Sequence, residues 1–179
     1  MLRLFVAIDL PEEIKSAVSS LRYPKSEAKW VAEDQLHLTL RFIGDVDDDL
    51  IESIVTGLSG IAAAPFFLVL KGVGCFPSKR EPRVLWVGIG SSDALFALQA
   101  DIEKVLVLNG SVPDRRPFFP HITIARLKEV SAARIAPFLQ KNSQFATGSF
   151  PVTEFILYSS TLTQQGAIHR EIASFPLSG

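Results

Sequence analysis

Residues 2 to 9 form an apolar, partly β-branched run that predicts a strand, and Pro11-Glu12-Glu13 follows as a helix start, with proline early and acids in the first turn. Ile14, Val18 and Leu21 continue at helical spacing. From Leu36 to Phe42 the period changes to strict alternation. It places Leu36, Leu38, Leu40 and Phe42 on one face of a strand and His37, Thr39 and Arg41 on the other. Asp47 to Asp49 then open a helix whose apolar stripe is Leu50, Ile54, Leu58 and Ile61. These acids fit the positive end of a helix better than a metal site.

Residues 66–70 and 84–89 have strand character, and the stretch Gly72 to Arg83 between them, rich in turn formers and cations, predicts a surface loop. Ser91 or Ser92 can cap a helix carrying Leu95, Leu98, Ile102 and Val105, which stops at Asn109-Gly110. A second short strand is predicted at 121–124, followed by a helix that Ser131 can cap and Pro137 weakens. The arms of a closing hairpin lie at 152–158 and 168–175, with Gln164-Gln165-Gly166 at its turn. Each half of the chain thus carries a His-x-Thr strand followed by a helix. His121 follows His37 by 121 − 37 = 84 positions, the spacing of an internal duplication about an approximate two-fold axis.

Composition narrows the class. With 47% hydrophobic residues in 179, the chain can bury a core without staples, and it reads as one compact unit over residues 1–179. The net charge of −1 excludes a strong non-specific nucleic-acid binder, so any RNA contact must be local. Cys75 is the only cysteine, which rules out an internal disulfide and a cysteine-rich zinc site. The apolar run at the amino terminus is broken by Asp9 and Pro11, and no stretch reaches the roughly 20 residues of a membrane span. A cytoplasmic protein without a membrane association is expected, and it is taken as a monomer.

The chemistry lies in the paired motifs His37-Leu-Thr39 and His121-Ile-Thr123. Seven residues are threonine, so two hits among three histidines would arise by chance roughly 0.5% of the time. Alternation puts each histidine and its threonine on one strand face. Imidazole titrates near 6.5, so one member of a pair can accept a proton while the other donates one. A threonine hydroxyl beside each ring suits the several oxygens of a phosphate ester. No His-x-His, His-x-x-x-His or carboxylate–histidine cluster suggests a metal, and no cofactor is expected. Arg126 is a phosphate-binding cation only if a bulge intervenes, because strict alternation sets it opposite His121 and Thr123. Arg41 has the right parity but reads equally as an ion-paired strand residue. Lys79, Arg80, Arg83, Arg115 and Arg116 are candidates for an RNA rim, and Phe5, Trp30, Phe76, Phe118 and Phe119 for base stacking.

These residues carry a resemblance. The runs Arg3-Leu-Phe-Val-Ala-Ile-Asp9, Leu36-His-Leu-Thr-Leu-Arg-Phe-Ile-Gly44, Gly72-Val-Gly-Cys-Phe-Pro77, Arg83-Val-Leu-Trp-Val-Gly88, Pro120-His-Ile-Thr-Ile-Ala-Arg126 and Leu157-Tyr-Ser-Ser160 resemble the 2H phosphoesterase superfamily. Within it the likeness is to RNA 2′,3′-cyclic phosphodiesterases, historically called 2′-5′ RNA ligases. The resemblance implies an α+β fold, bilobal with pseudo-two-fold symmetry, in which two antiparallel sheets face a central cleft with helices outside. It implies hydrolysis of RNA 2′,3′-cyclic phosphate ends, or of cyclic nucleotides, to a 2′-phosphate without metal. His37 then matches the proton donor, His121 the acceptor, and Thr39, Thr123 and Arg126 the substrate-binding set. Spacing alone leaves the two histidine roles open, since a symmetric pair looks the same from either side. A non-catalytic nucleotide or RNA-end binding module, and 2′-5′ ligation in reverse, are the rival readings. His169 stands where that family usually has tyrosine.

Overall fold

The computed structural model describes residues 1–21 and 28–179. Two four-stranded antiparallel sheets form its frame. In chain order the strands are β1 (Leu2–Asp9), β2 (Ala28–Trp30), β3 (His37–Val46), β4 (Phe66–Leu68), β5 (Leu70–Pro77), β6 (Pro82–Ile89), β7 (His121–Leu127), β8 (Phe150–Val152), β9 (Glu154–Thr163) and β10 (Gly166–Pro176). One sheet has the order β10-β9-β1-β3, the other β2-β7-β6-β5, and β4 pairs with β8 apart from both. The helices are α1 (Glu12–Ser19), α2 (Asp48–Ser59), α3 (Asp93–Leu108) and α4 (Ala132–Lys141). Among the described residues no helix is long and apolar enough to cross a membrane.

Some expected signals act where they were read, whereas Ser131 starts α4 without a side-chain capping bond and Leu50 of the predicted α2 stripe stands exposed. Asp48 and Asp49 occupy the first turn of α2, and the Ser92 hydroxyl accepts the Leu95 N–H at 3.1 Å to cap α3. The apolar stripe of α3 (Leu95, Leu98, Ile102, Leu106) is fully buried and joins Leu38 and Leu40 of β3 and Ile122 and Ile124 of β7 in one core. Leu4, Val6 and Ile8 of β1 lie in that core as well. The two sheets meet where β3 and β7 approach, with backbones within 8 Å of each other. The two His-x-Thr strands are therefore neighbours across the cleft.

The strand predicted at 66–70 is divided at Val69 between β4 and β5, which belong to separate sheets, and two larger expectations are corrected. Most of the predicted loop at 72–83 is strand: β5 runs to Pro77 and β6 begins at Pro82, so the turn is only the residues between. Its glycines had suggested a loop, but Gly74 faces Trp86, where an added Cβ would lie 2.2 Å from the indole. The second correction concerns alternation. In β3, Val6 pairs with Arg41 and Ala7 with Thr39, leaving Leu40 as an extra residue. In β7, Leu85 pairs with Ala125 and Trp86 with Thr123, leaving Ile124 extra. Each strand bulges one residue beyond its motif threonine, and each bulge flips the residues that follow.

Candidate active site

Each motif histidine opens its strand, and the same bond holds each ring. His37 Nδ1 lies 2.7 Å from the Gln35 carbonyl, and His121 Nδ1 lies 2.7 Å from the Phe119 carbonyl. A carbonyl only accepts, so the geometry assigns the proton to Nδ1 and leaves the Nε2 lone pair of a neutral ring for chemistry. Two rings set in one tautomer by matching local bonds are prepared for proton transfer at Nε2.

The surroundings of the rings differ. His37 packs on Phe5 at 5.1 Å between centroids, and Phe5 in turn stacks on Tyr158 at 5.3 Å. Burial there pushes the His37 imidazole down to about 4. The Gln35 carbonyl opposes that shift, His169 adds to it, Asp9 opposes it and Lys15 adds to it. Lys15 is itself buried and ion-paired to Asp9 at 2.9 Å. Burial also raises the Tyr158 phenol, which stays protonated across the working range. His121 stands in a different aromatic wall, made by Phe76 at 4.9 Å, Phe119 at 6.3 Å and Trp86 at 6.5 Å.

The bulges decide the cations. Beyond Ile124, Arg126 pairs with Val84, two residues from the Thr123 partner Trp86, and so shares the cleft face with Thr123 and His121. The condition that strict alternation imposed on Arg126 is met. Beyond Leu40 the same flip works against Arg41, which turns into the core at 9% exposure. There its guanidinium pairs with Glu103 of α3 and donates to the carbonyls of Phe42 and, at 2.6 Å, Val112. Arg41 therefore does not line the cleft. Phe42, assigned above to the apolar face, instead stands 60% exposed on the histidine side, 5.8 Å from Phe5. Arg126 and Phe42 occupy equivalent columns of the two halves. Across the register from Arg126 stands Lys29, another exposed cation on the same face.

The other candidates sort by contact. Phe76 and Phe119 line the His121 wall, Phe5 underlies His37, Trp30 packs on Phe138 and Phe118 on Phe96. Arg116 is tied to Asp114 at 3.0 Å, and Lys79, Arg80 and Arg83 lie exposed at the β5–β6 turn. Sequence reasoning missed Phe42 and Lys29 as cleft residues. Among the described residues no three of His, Cys, Asp and Glu gather closely enough to hold a metal ion.

A sequence family described as LigT like Phosphoesterase matches residues 6–86 and, a second time, residues 87–169. The chain belongs to this family. The double match divides the LigT-like chain into the halves that the two bulged strands define. It is 35% identical to the RNA 2′,3′-cyclic phosphodiesterase of Geobacillus stearothermophilus over 98% of its own length, and spans 57% of that longer relative. It is 34% identical to the RNA 2′,3′-cyclic phosphodiesterase of Thermotoga maritima, covering 99% of this chain and 97% of the other. Its fold superposes on the crystal structure of E. coli LigT complexed with 3′-AMP with a TM-score of 0.82 at 29% identity, over 99% of both chains.

Proposed function

We propose that this LigT-like protein hydrolyses RNA 2′,3′-cyclic phosphate ends to 2′-phosphates with its two histidines as acid and base. The observation that carries the reading is the matched pair of rings, each fixed through Nδ1 to a carbonyl two residues back, on strands that adjoin across the cleft. In this reading His121 Nε2 takes a proton from water as the water oxygen attacks phosphorus. The P–O3′ bond breaks in line, and His37 Nε2 delivers a proton to the departing O3′. The Thr39 and Thr123 hydroxyls donate to the non-bridging oxygens, and Arg126 meets their charge. The name borne by the relatives supports RNA as the substrate.

The protein is read as acting alone, as one bilobal domain over residues 1–179, in the cytoplasm. The test is a cyclic nucleotide or a cyclic-phosphate RNA end incubated with the protein in chelator. Hydrolysis to the 2′-phosphate is expected, and Ala at either His37 or His121 should lower kcat/KM by about 10² to 10⁴. Unchanged rates in either variant, or binding without turnover by the unaltered protein, would overturn the reading. Ligation to a 5′-hydroxyl would use the same pair in reverse, and product analysis with an RNA acceptor separates the two.

A further inference from the structure

The chain has three histidines, and the two motifs account for only two of them. The third, His169, lies on β10 opposite Ser160 of β9, which itself pairs with Arg3 of β1. Its ring meets Phe5 edge-on at 4.8 Å and His37 edge-on at 5.3 Å, so the two imidazoles share one wall of the cleft. Its Nδ1 is buried and has no hydrogen-bond partner among the described residues. Asp9 of β1 and Lys15 of α1 also act on His37, and Tyr158 of β9, which stacks on the same Phe5, has Asp9, Glu171 of β10 and Glu154 of β9 around it.

We propose that His169 is a positioning residue of the reaction: the His169 and His37 rings hold one proton between them, and the charge on His169 decides whether His37 can carry the proton it donates. The proposal rests on the assignment of His37 as the acid. Two unit charges at the observed ring separation repel strongly enough to weaken the second protonation roughly a hundredfold. The rings therefore titrate as a coupled pair. At working pH the buried Nδ1 favours a neutral His169 with its proton on Nε2. A cation there would bury an N–H with no acceptor, whereas the neutral ring leaves only a lone pair. Neutral His169 then leaves His37 free to be charged. As pH falls and His169 takes a proton, it opposes the charge on His37. This agrees with the proton affinity of His37, which burial lowers most and the charge of His169 lowers further.

The experiment is an NMR titration of the imidazole carbons of His37 in the unliganded protein, alongside His169→Phe and His169→Gln. Phe keeps the ring contact and Gln a polar side chain, while both remove the charge. In both variants the proton affinity of His37 should rise by tenfold or more. An affinity unchanged within twofold in both, or raised in only one, would overturn the proposal, since a packing effect would follow side-chain shape. The readout needs no turnover. A shifted affinity in a protein that does not cleave cyclic phosphates would overturn the functional reading and leave the coupling standing.

Discussion

Binding of a phosphodiester should load a proton onto His37. In the open cleft this imidazole titrates at about 4, so at pH 6 only about 1% of it is charged. A cyclic phosphate seated at Thr39 and Thr123 brings one negative charge to within about 4 Å of the ring. At an effective dielectric of about 20 that attraction is worth about 4 kcal/mol, or roughly a thousandfold in proton affinity. The midpoint then moves to about 7, and binding at pH 6 takes up about 0.9 proton per ligand, falling to about 0.1 at pH 8. The assay is calorimetric titration of His121→Ala, in which slowed cleavage should leave binding to be read, with 2′,3′-cyclic uridine phosphate. Buffers of different ionisation enthalpy at one pH give proton uptake as the slope of heat against buffer enthalpy. The uracil and the diester do not titrate in this window. Uptake near zero at pH 6, or uptake that survives His37→Ala in a His169→Gln background, would refute the reasoning. The first result would leave a neutral His37 suited to accept a proton instead of donating one.

Arg41→Ala should destabilise the fold by about 2 to 3 kcal/mol, because it leaves Glu103, whose side chain keeps 22% exposure, with only the Asp114 N–H as partner among the described residues and frees the Val112 carbonyl. Urea unfolding measures this, and an unchanged midpoint would contradict the buried pair. Arg126→Ala should leave that midpoint within about 0.5 kcal/mol and instead weaken catalysis. Gly74→Ala would set a methyl against the Trp86 ring, at 2.2 Å from Cζ2 before any movement, and displace the wall beside His121. A stability loss of about 1 to 3 kcal/mol, a tryptophan emission change and a tenfold to hundredfold drop in kcat/KM are expected. Normal activity in that variant would show that the wall does not position His121.

The candidate residues of the site were legible because their signals are local. His37 and Thr39, or His121 and Thr123, need only two-residue alternation to share a face, and Ser92 needs only its own hydroxyl to start α3. What escaped depends on strand pairing. A bulge adds a residue without changing the apolar character of its run, so Leu-Arg-Phe and Ile-Ala-Arg both read as regular strand. Arg41 and Phe42 were consequently assigned to each other's faces. The β5 strand was hidden by Gly72 and Gly74, whose meaning comes from Trp86 on the neighbouring strand. His169 gave no periodic signal, because its importance is a contact with a ring that lies 132 positions away in the chain, counted as 169 − 37.

The twin bulges also bear on descent. A strand irregularity is stable only when its neighbours accommodate it, so acquiring one independently at the same step of two strands is a harder route than copying it. The extra residues Leu40 and Ile124 sit 84 positions apart, as the histidines do, since 124 − 40 equals 121 − 37. The shared offset, with the family matching each half, fits a bulge carried by both copies of one half. The column just beyond it differs between the halves, a phenyl ring in one and a guanidinium in the other. Symmetry supplied two equal walls, and a single bulged column made one of them greasy and the other cationic.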